Sequence, residues 1–231
     1  MDEIIKKFAS DEVYYSDYSF VTNSQLGLIK RSPATYQHYR DNPSDRPITK
    51  ALNFGRAFHM CMLENDKYKK EVVVEPDVNK RTKAGKEEYQ KFLTLHEGMT
   101  ILSHDEDESL TGMRKKLTSS VEAMELLSGG IAEQVNVWND LESRIPCKGK
   151  ADYWNKDRNI LVDIKTTQDS SPDGFRKSAY KYGYDRQASF YLDGFGVDQF
   201  WFIVIEKTEP FDIGVYMCSD EFLGTGRDKY K

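Results

Sequence analysis

The sequence predicts an α/β protein of the α+β kind: a helical N-terminal half, then a central five-stranded mixed sheet flanked by helices. Three observations predict it. Up to about residue 127 the chain reads as mainly helical, most clearly over Lys50 to Glu64, where apolar residues recur at steps of three and four, the period of a helix with one buried face. From Gly129-Gly130 onward the period becomes two, in short runs rich in β-branched and aromatic residues. One helical stretch lies between the third and fourth of these runs, so a meander returns through a crossover helix and the sheet holds both parallel and antiparallel pairs.

The elements follow in order. Asn23-Ser24-Gln25 caps a helix that stops near Ser32-Pro33, because proline disfavours helix in the residue before it. A short helix follows over Pro33 to Tyr39. Leu52, Phe54, Ala57, Phe58, Cys61 and Met62 form a broad apolar face on a helix over Lys50 to Glu64. Gly55 inside it costs up to ~1 kcal/mol relative to alanine, which suggests close packing against another backbone. Asp77 to Gly85 is polar and basic, Lys86 to Glu97 is helical, and Asp105 to Leu127 is a helix or a pair of helices. The strands are Glu133 to Trp138, Lys148 to Trp154, Asn159 to Thr166, Gln199 to Glu206 and Ile213 to Cys218, with the crossover helix at Phe175 to Phe195. No repeat or Pro/Gly/Ser linker divides the chain, so 1–231 reads as one domain: a helical part over 1–128, and a sheet with its crossover helix over 129–231.

Composition narrows the class. Of 231 residues, 39% are hydrophobic and 31% charged, enough for a core but leaving no apolar run near the ~20 residues of a membrane span. The acidic start Met1-Asp2-Glu3 is not a secretory signal, so a cytoplasmic location is expected. Three widely spaced cysteines make neither a disulfide framework nor a metal knuckle. A net charge of −5 argues against a general polyanion binder yet leaves room for a local basic groove.

The chemistry concentrates in Gly149-Lys150-Ala151-Asp152-Tyr153-Trp154, a polar turn at Asn155 to Arg158, and Ile160-Leu161-Val162-Asp163-Ile164-Lys165. A hairpin centred on the turn pairs Trp154 with Leu161, Tyr153 with Val162 and Asp152 with Asp163. Alternation then puts Ala151, Tyr153, Ile160, Val162 and Ile164 on a core face, and Asp152, Asp163 and Lys165 together on the other. Carboxylates directly opposed, with β-carbons ~4.5–5.5 Å apart, repel one another, and a divalent cation removes that cost. Carboxylate oxygens suit Mg²⁺, with Mn²⁺ able to substitute, and such an ion keeps positions for substrate phosphate. The same spacing also suits a surface hairpin in which Lys165 neutralises both acids.

This pattern of Asp, turn and Asp-Ile-Lys resembles the PD-(D/E)xK nuclease superfamily, and neighbouring motifs resemble its RecE-like (exonuclease VIII type) phage exonucleases, related to RecB nuclease domains. Those motifs are Ser24-Gln25-Leu26 with Arg31-Ser32-Pro33-Ala34-Thr35-Tyr36, Phe54-Gly55-Arg56-Ala57-Phe58-His59, the basic loop Lys80-Arg81-Thr82-Lys83-Ala84-Gly85-Lys86, Cys147 to Asp152, and Gln187-Ala188-Ser189-Phe190-Tyr191. The resemblance covers about residues 20 to 225. The resemblance implies a restriction-endonuclease-like fold and a metal held by His59, Asp152, Asp163 and the carbonyl of Ile164. Lys165 would position the attacking water, Glu133 would assist, and Gln187 and Tyr191 would contact the DNA backbone or scissile phosphate.

Read alone, His59 is a core histidine, Gln187 and Tyr191 are ordinary packing at i and i+4, and Glu133 is a surface acid. Lys80, Arg81, Lys83 and Lys86 are a solvated cluster or a phosphate-binding one. The implied activity is Mg²⁺-dependent 5′ to 3′ exonuclease action on linear double-stranded DNA. The 3′ single strands so exposed would pass to a phage single-strand annealing recombinase, and a homo-oligomeric ring around DNA is plausible in such a family. Related chains close with a longer C-terminal helix than Asp228-Lys229-Tyr230-Lys231 allows. The competing readings are a structure-selective endonuclease of the same fold and a non-catalytic DNA-binding module.

Overall fold

The computed structural model describes residues 2–47 and 49–231. Two short helices, α1 (Asp2–Lys7) and α2 (Asp11–Ser16), precede α3 (Asn23–Arg31), α4 (Pro33–Asp41), α5 (Lys50–Leu63) and α6 (Asn65–Glu71). Strands β1 (Val72–Val74) and β2 (Thr100–Leu102) flank α7 (Lys83–Leu95), and α8 (His104–Ser119) and α9 (Val121–Leu126) complete the helical half. The second half runs β3 (Ile131–Asn139), β4 (Pro146–Asn155), β5 (Ile160–Thr167), α10 (Pro172–Tyr182), α11 (Tyr184–Phe195), β6 (Gln199–Glu206), β7 (Ile213–Met217) and α12 (Asp220–Arg227). Among the described residues no helix is long and apolar enough to cross a membrane.

The main sheet has five strands in the order β3-β4-β5-β6-β7, antiparallel except for β5 against β6. That parallel pair is the one the crossover through α10 and α11 requires. The expected mixed sheet flanked by helices is therefore the architecture. Local chemistry sets the helix starts. Thr22 and Gln25 form a reciprocal capping box at α3, Ser32 caps α4 with Pro33 in its first turn, and Thr49 caps α5.

Several expectations are corrected. The stretch Phe175 to Phe195 is two helices, because Gly183 takes φ 71°, a left-handed turn that ends one helix and starts the next. Helix α7 begins at Lys83, where the Thr82 side chain accepts from the Gly85 N–H, three residues before the expected start. Leu52 is 57% exposed, on the solvent side of α5, and an added Cβ at Gly55 would meet nothing within 4 Å. The proposed close packing at Gly55 is absent. The parallel pair β1–β2 has only three residues per strand, too short for a periodic signal to stand out in sequence.

The sheet is covered on both faces. On one, α5, α8 and α9 pack Phe54, Phe58, Leu110, Met113 and Leu126 against Tyr153, Val162 and Ile164. On the other, α10 and α11 pack Phe175, Ala188 and Phe195 against Leu161, Phe200 and Phe202. Ala151, expected with Tyr153 and Val162, joins this second cluster. A third cluster seats the N-terminal segment on β3 through Phe8, Tyr14 and Val137. Its fastening is polar. The fully buried Lys148 donates to the carbonyls of Tyr14 (2.6 Å) and Asp17 (2.7 Å), with its ammonium 4.3 Å from the Phe8 ring centre. A buried ammonium is tolerable only with such donors' partners in place.

Candidate metal centre

The hairpin register is Tyr153 opposite Val162, Trp154 opposite Leu161 and Asn155 opposite Ile160, as the turn predicts. The ladder ends there. Asp152 and Asp163 are not a ladder pair; instead Asp152 Oδ2 accepts the Ile164 N–H at 2.9 Å. The strands part beyond Tyr153, and the carboxylate fills the gap in place of a main-chain carbonyl. A surface hairpin is also ruled out, since α10 and α11 cover this face and Asp163 is 2% exposed.

On the other edge of β4, Glu133 stands opposite Asp152, between the pairs Ala132–Tyr153 and Gln134–Ala151. Its φ is +52°, inside a strand and on a residue with a Cβ. Such a conformation costs ~1–3 kcal/mol and persists only where the surroundings impose it, which occurs most at functional sites. The result is convergence: one ligand atom each from His59, Glu133 and Asp152 lies within 4.8 Å of the others. His59 arrives from the middle of α5, with Nδ1 3.4 Å from Asp152 Oδ2.

The electrostatics of this group would favour a bound cation. Burial, helped by the Lys165 ammonium, pushes the His59 imidazole below its ordinary value and keeps it neutral, as a ligand must be. The Ile164 carbonyl faces this ring. Burial raises the carboxyls of Asp152 and Glu133, and for Glu133 the neighbouring Asp152 adds to the rise. Asp163 is pushed up to about 6 by burial and then by Asp152. Carboxyls held high by desolvation and mutual repulsion are groups that a divalent cation would return to their charged form.

Asp163 lies beside the three-residue group. Its Oδ1 accepts from Gln187 Nε2 at 2.5 Å, and Lys165 Nζ lies against its Oδ2. That ion pair with the Lys165 ammonium is the contact made by the buried Oδ2. Burial works against the charge of Lys165, but Asp163 and Asp152 outweigh it and hold the ammonium above its ordinary range. Its charge also lies 5.2 Å from the Tyr184 ring centre.

Gln187 and Tyr191 come from consecutive turns of α11. Gln187 touches the Asp163 carboxylate directly. The Tyr191 ring runs along β4 at Gly149, where an added Cβ would lie 3.0 Å from the ring and 3.1 Å from Trp138. Burial, reinforced by Tyr14, raises the Tyr191 phenol well above its ordinary value. Lys80, Arg81, Lys83 and Lys86 are exposed and lie around the start of α7. Lys80 is engaged, 2.6 Å from Glu75 and over the Tyr89 ring, and Lys83 reaches Glu87 at 4.0 Å.

One participant escaped attention at this centre. Lys150 shares a strand face with Asp152, two residues away, so alternation alone signalled it. Its ammonium lies 2.8 Å from Glu133 Oε2 and 2.7 Å from Asp11 Oδ1. Asp11 had no such signal, being far away in sequence.

Comparison with known proteins bears on the fold. Residues 22–231 match the PDDEXK-like domain of unknown function, DUF3799. The chain belongs to that family, and its fold is the PD-(D/E)xK nuclease fold. A candidate exonuclease from Eubacterium rectale has the same fold, with TM-score 0.65 at 13% identity over 97% of this chain and 81% of that one. More distant are an alkaline exonuclease from Laribacter hongkongensis (TM-score 0.41, 11% identity, 96% and 89% covered) and a phage-related exonuclease from Haemophilus somnus (0.34, 15%, 68% and 84%). No curated protein matches the chain.

Proposed function

We propose that the protein is a metal-dependent deoxyribonuclease that hydrolyses phosphodiester bonds. The observation that carries this reading is the convergence of His59, Glu133 and Asp152 beside the buried Asp163–Lys165 pair. His59, Asp152 and Glu133 would hold Mg²⁺ or Mn²⁺, with Asp163 and the Ile164 carbonyl adjoining. Bound there, the ion would supply a Lewis acid for the scissile phosphate and lower the pKa of a water. The residues do the rest. Lys165, held on Asp163 and pointing its charge into the site, orients the attacking water and offsets charge accumulating on the phosphate. Gln187 fixes the Asp163 carboxylate that fixes Lys165. Tyr191 stays a neutral phenol, suited to donate to a phosphate oxygen.

The finer reading rests on the resemblance of the motifs to RecE-like enzymes. It comprises 5′ to 3′ digestion of linear double-stranded DNA in a bacterial cytoplasm, delivery of 3′ strands to a phage annealing recombinase, and assembly into a ring. Purified protein incubated with end-labelled linear duplex and with covalently closed plasmid tests it. Mg²⁺-dependent loss of the linear substrate alone is expected. Relaxation of the plasmid would favour an endonuclease, and full activity in excess EDTA would sink the metal reading.

The basic loop makes a separate prediction. With Lys80 engaged by Glu75 and Lys83 near Glu87, the charge available to a phosphate lies chiefly on Arg81 and Lys86. Replacing Arg81 and Lys86 with glutamine should weaken duplex binding equally on unrelated sequences and reduce the slope of log K against log salt by roughly 0.9 per lost phosphate contact. Binding measured in Ca²⁺ at several salt concentrations checks this, and an unchanged slope assigns the loop to solvation.

A further inference from the structure

Lys150 presents a conflict. Its side chain is 15% exposed and its ammonium lies on Glu133 Oε2, and that carboxylate is also a member of the three-residue group that would hold the metal. A lysine fully committed to Glu133 would compete with a cation for it. The Glu133 carboxylate is not fully claimed, because the same ammonium also reaches Asp11 Oδ1. Asp11 is held in turn by Lys67, whose ammonium lies 2.6 Å from its Oδ2. Four charges thus alternate in one row, Lys67–Asp11–Lys150–Glu133, with the metal group at its end.

Asp11 comes from α2, in a segment that precedes the matched residues 22–231. The segment is docked where it can act. Lys148, Lys150 and Asp152 alternate along one face of β4, the first clamping the Tyr14 and Asp17 carbonyls, the second receiving Asp11, the third in the metal group. Phe8 and Tyr14 anchor it to β3 near Val137, two turns of the pleat from Glu133.

We infer that Asp11 is a positioning residue for the metal centre: by drawing the Lys150 ammonium partly off Glu133, the docked N-terminal segment frees that carboxylate to hold a cation. Undocking would leave Lys150 to Glu133 alone and weaken the site. The inference rests on the metal reading above, and goes beyond it by making metal affinity depend on residues 11 and 150, outside the ligand set.

Mn²⁺ binding to the purified full chain, followed by calorimetry without DNA, tests it. Changing a partner that orients a metal ligand typically costs 10- to 100-fold in affinity, and Asp11→Asn should fall in that range. Glu12→Gln removes the same charge from the adjacent, exposed position and should change affinity less than about twofold, the effect of a screened charge at a distance. Adding Lys150→Met to Asp11→Asn should restore affinity, since no ammonium then competes for Glu133; a merely structural role for Asp11 predicts no restoration. If Asp11→Asn and Glu12→Gln bind Mn²⁺ alike, or if the double variant stays as weak as the single, the inference is overturned while the metal reading stands. If the wild-type protein binds no Mn²⁺, the metal reading fails and this inference with it. Should Asp11→Asn not fold, the double variant is compared with Glu12→Gln instead, and tenfold weaker binding by the double variant overturns the inference.

Discussion

Asp152→Asn should reduce cleavage of linear duplex about 10³-fold or more. The change removes one charged ligand from the His59, Glu133 and Asp152 group, where the metal's share of transition-state stabilisation is several kcal/mol, and each 1.36 kcal/mol is tenfold in rate. Folding should survive. The amide oxygen can still accept the Ile164 N–H, and repulsion with Glu133 and Asp163 is relieved. Asp152→Ala is the informative contrast: it leaves that main-chain N–H without its acceptor, at a cost of ~1–3 kcal/mol. Thermal melting in EDTA should therefore rank wild type and Asp152→Asn above Asp152→Ala. Equal melting of the two variants would mean the Ile164 bond contributes nothing, and residual activity near wild type in Asp152→Asn would remove Asp152 from the site.

Lys165→Met and His59→Ala should fail in different ways. An ammonium is not a ligand, so Lys165→Met should lose about 10²- to 10³-fold in rate, the scale of one lost stabilising donor, while still binding Mn²⁺. It should also melt lower in EDTA, because Asp163 is left as a buried carboxylate without its counter-charge, a situation that costs ~3–5 kcal/mol unless the group protonates. Added Mn²⁺ should then raise its melting temperature more than that of wild type. His59→Ala should instead weaken metal binding, and high Mn²⁺ should recover part of its activity. Equal losses with no recovery by Mn²⁺ in either would refute this division of roles.

The sequence made much of this legible because the informative signals are local. A period of 3.6 or 2 is set by neighbouring residues, so α3, α5, all five strands of the main sheet and the Tyr153–Val162 register could be read directly. The missed break at Gly183 was a local signal too, a glycine in a left-handed turn hidden by continuous apolar spacing across α10 and α11. What failed was extrapolation of regularity. Asp152 opposite Asp163 follows from an ideal ladder, but the strands part there and the carboxylate bonds to the Ile164 N–H instead.

The residues themselves determined which chemistries the chain carries: two acids and a lysine on alternating strand positions, a histidine on an apolar helix face, and a sheet of mixed direction. Only the tertiary structure decided which acids meet. It brought Glu133 to His59 and Asp152 through an irregular φ in β3, set Asp163 apart with Lys165 and Gln187, and placed Asp11 on Lys150 across 139 positions of chain. The reason is physical. Alternation and helical period act over a few residues. Proximity between distant residues depends on how helices seat on the sheet and where strands part, and that is the outcome of burying the core as a whole.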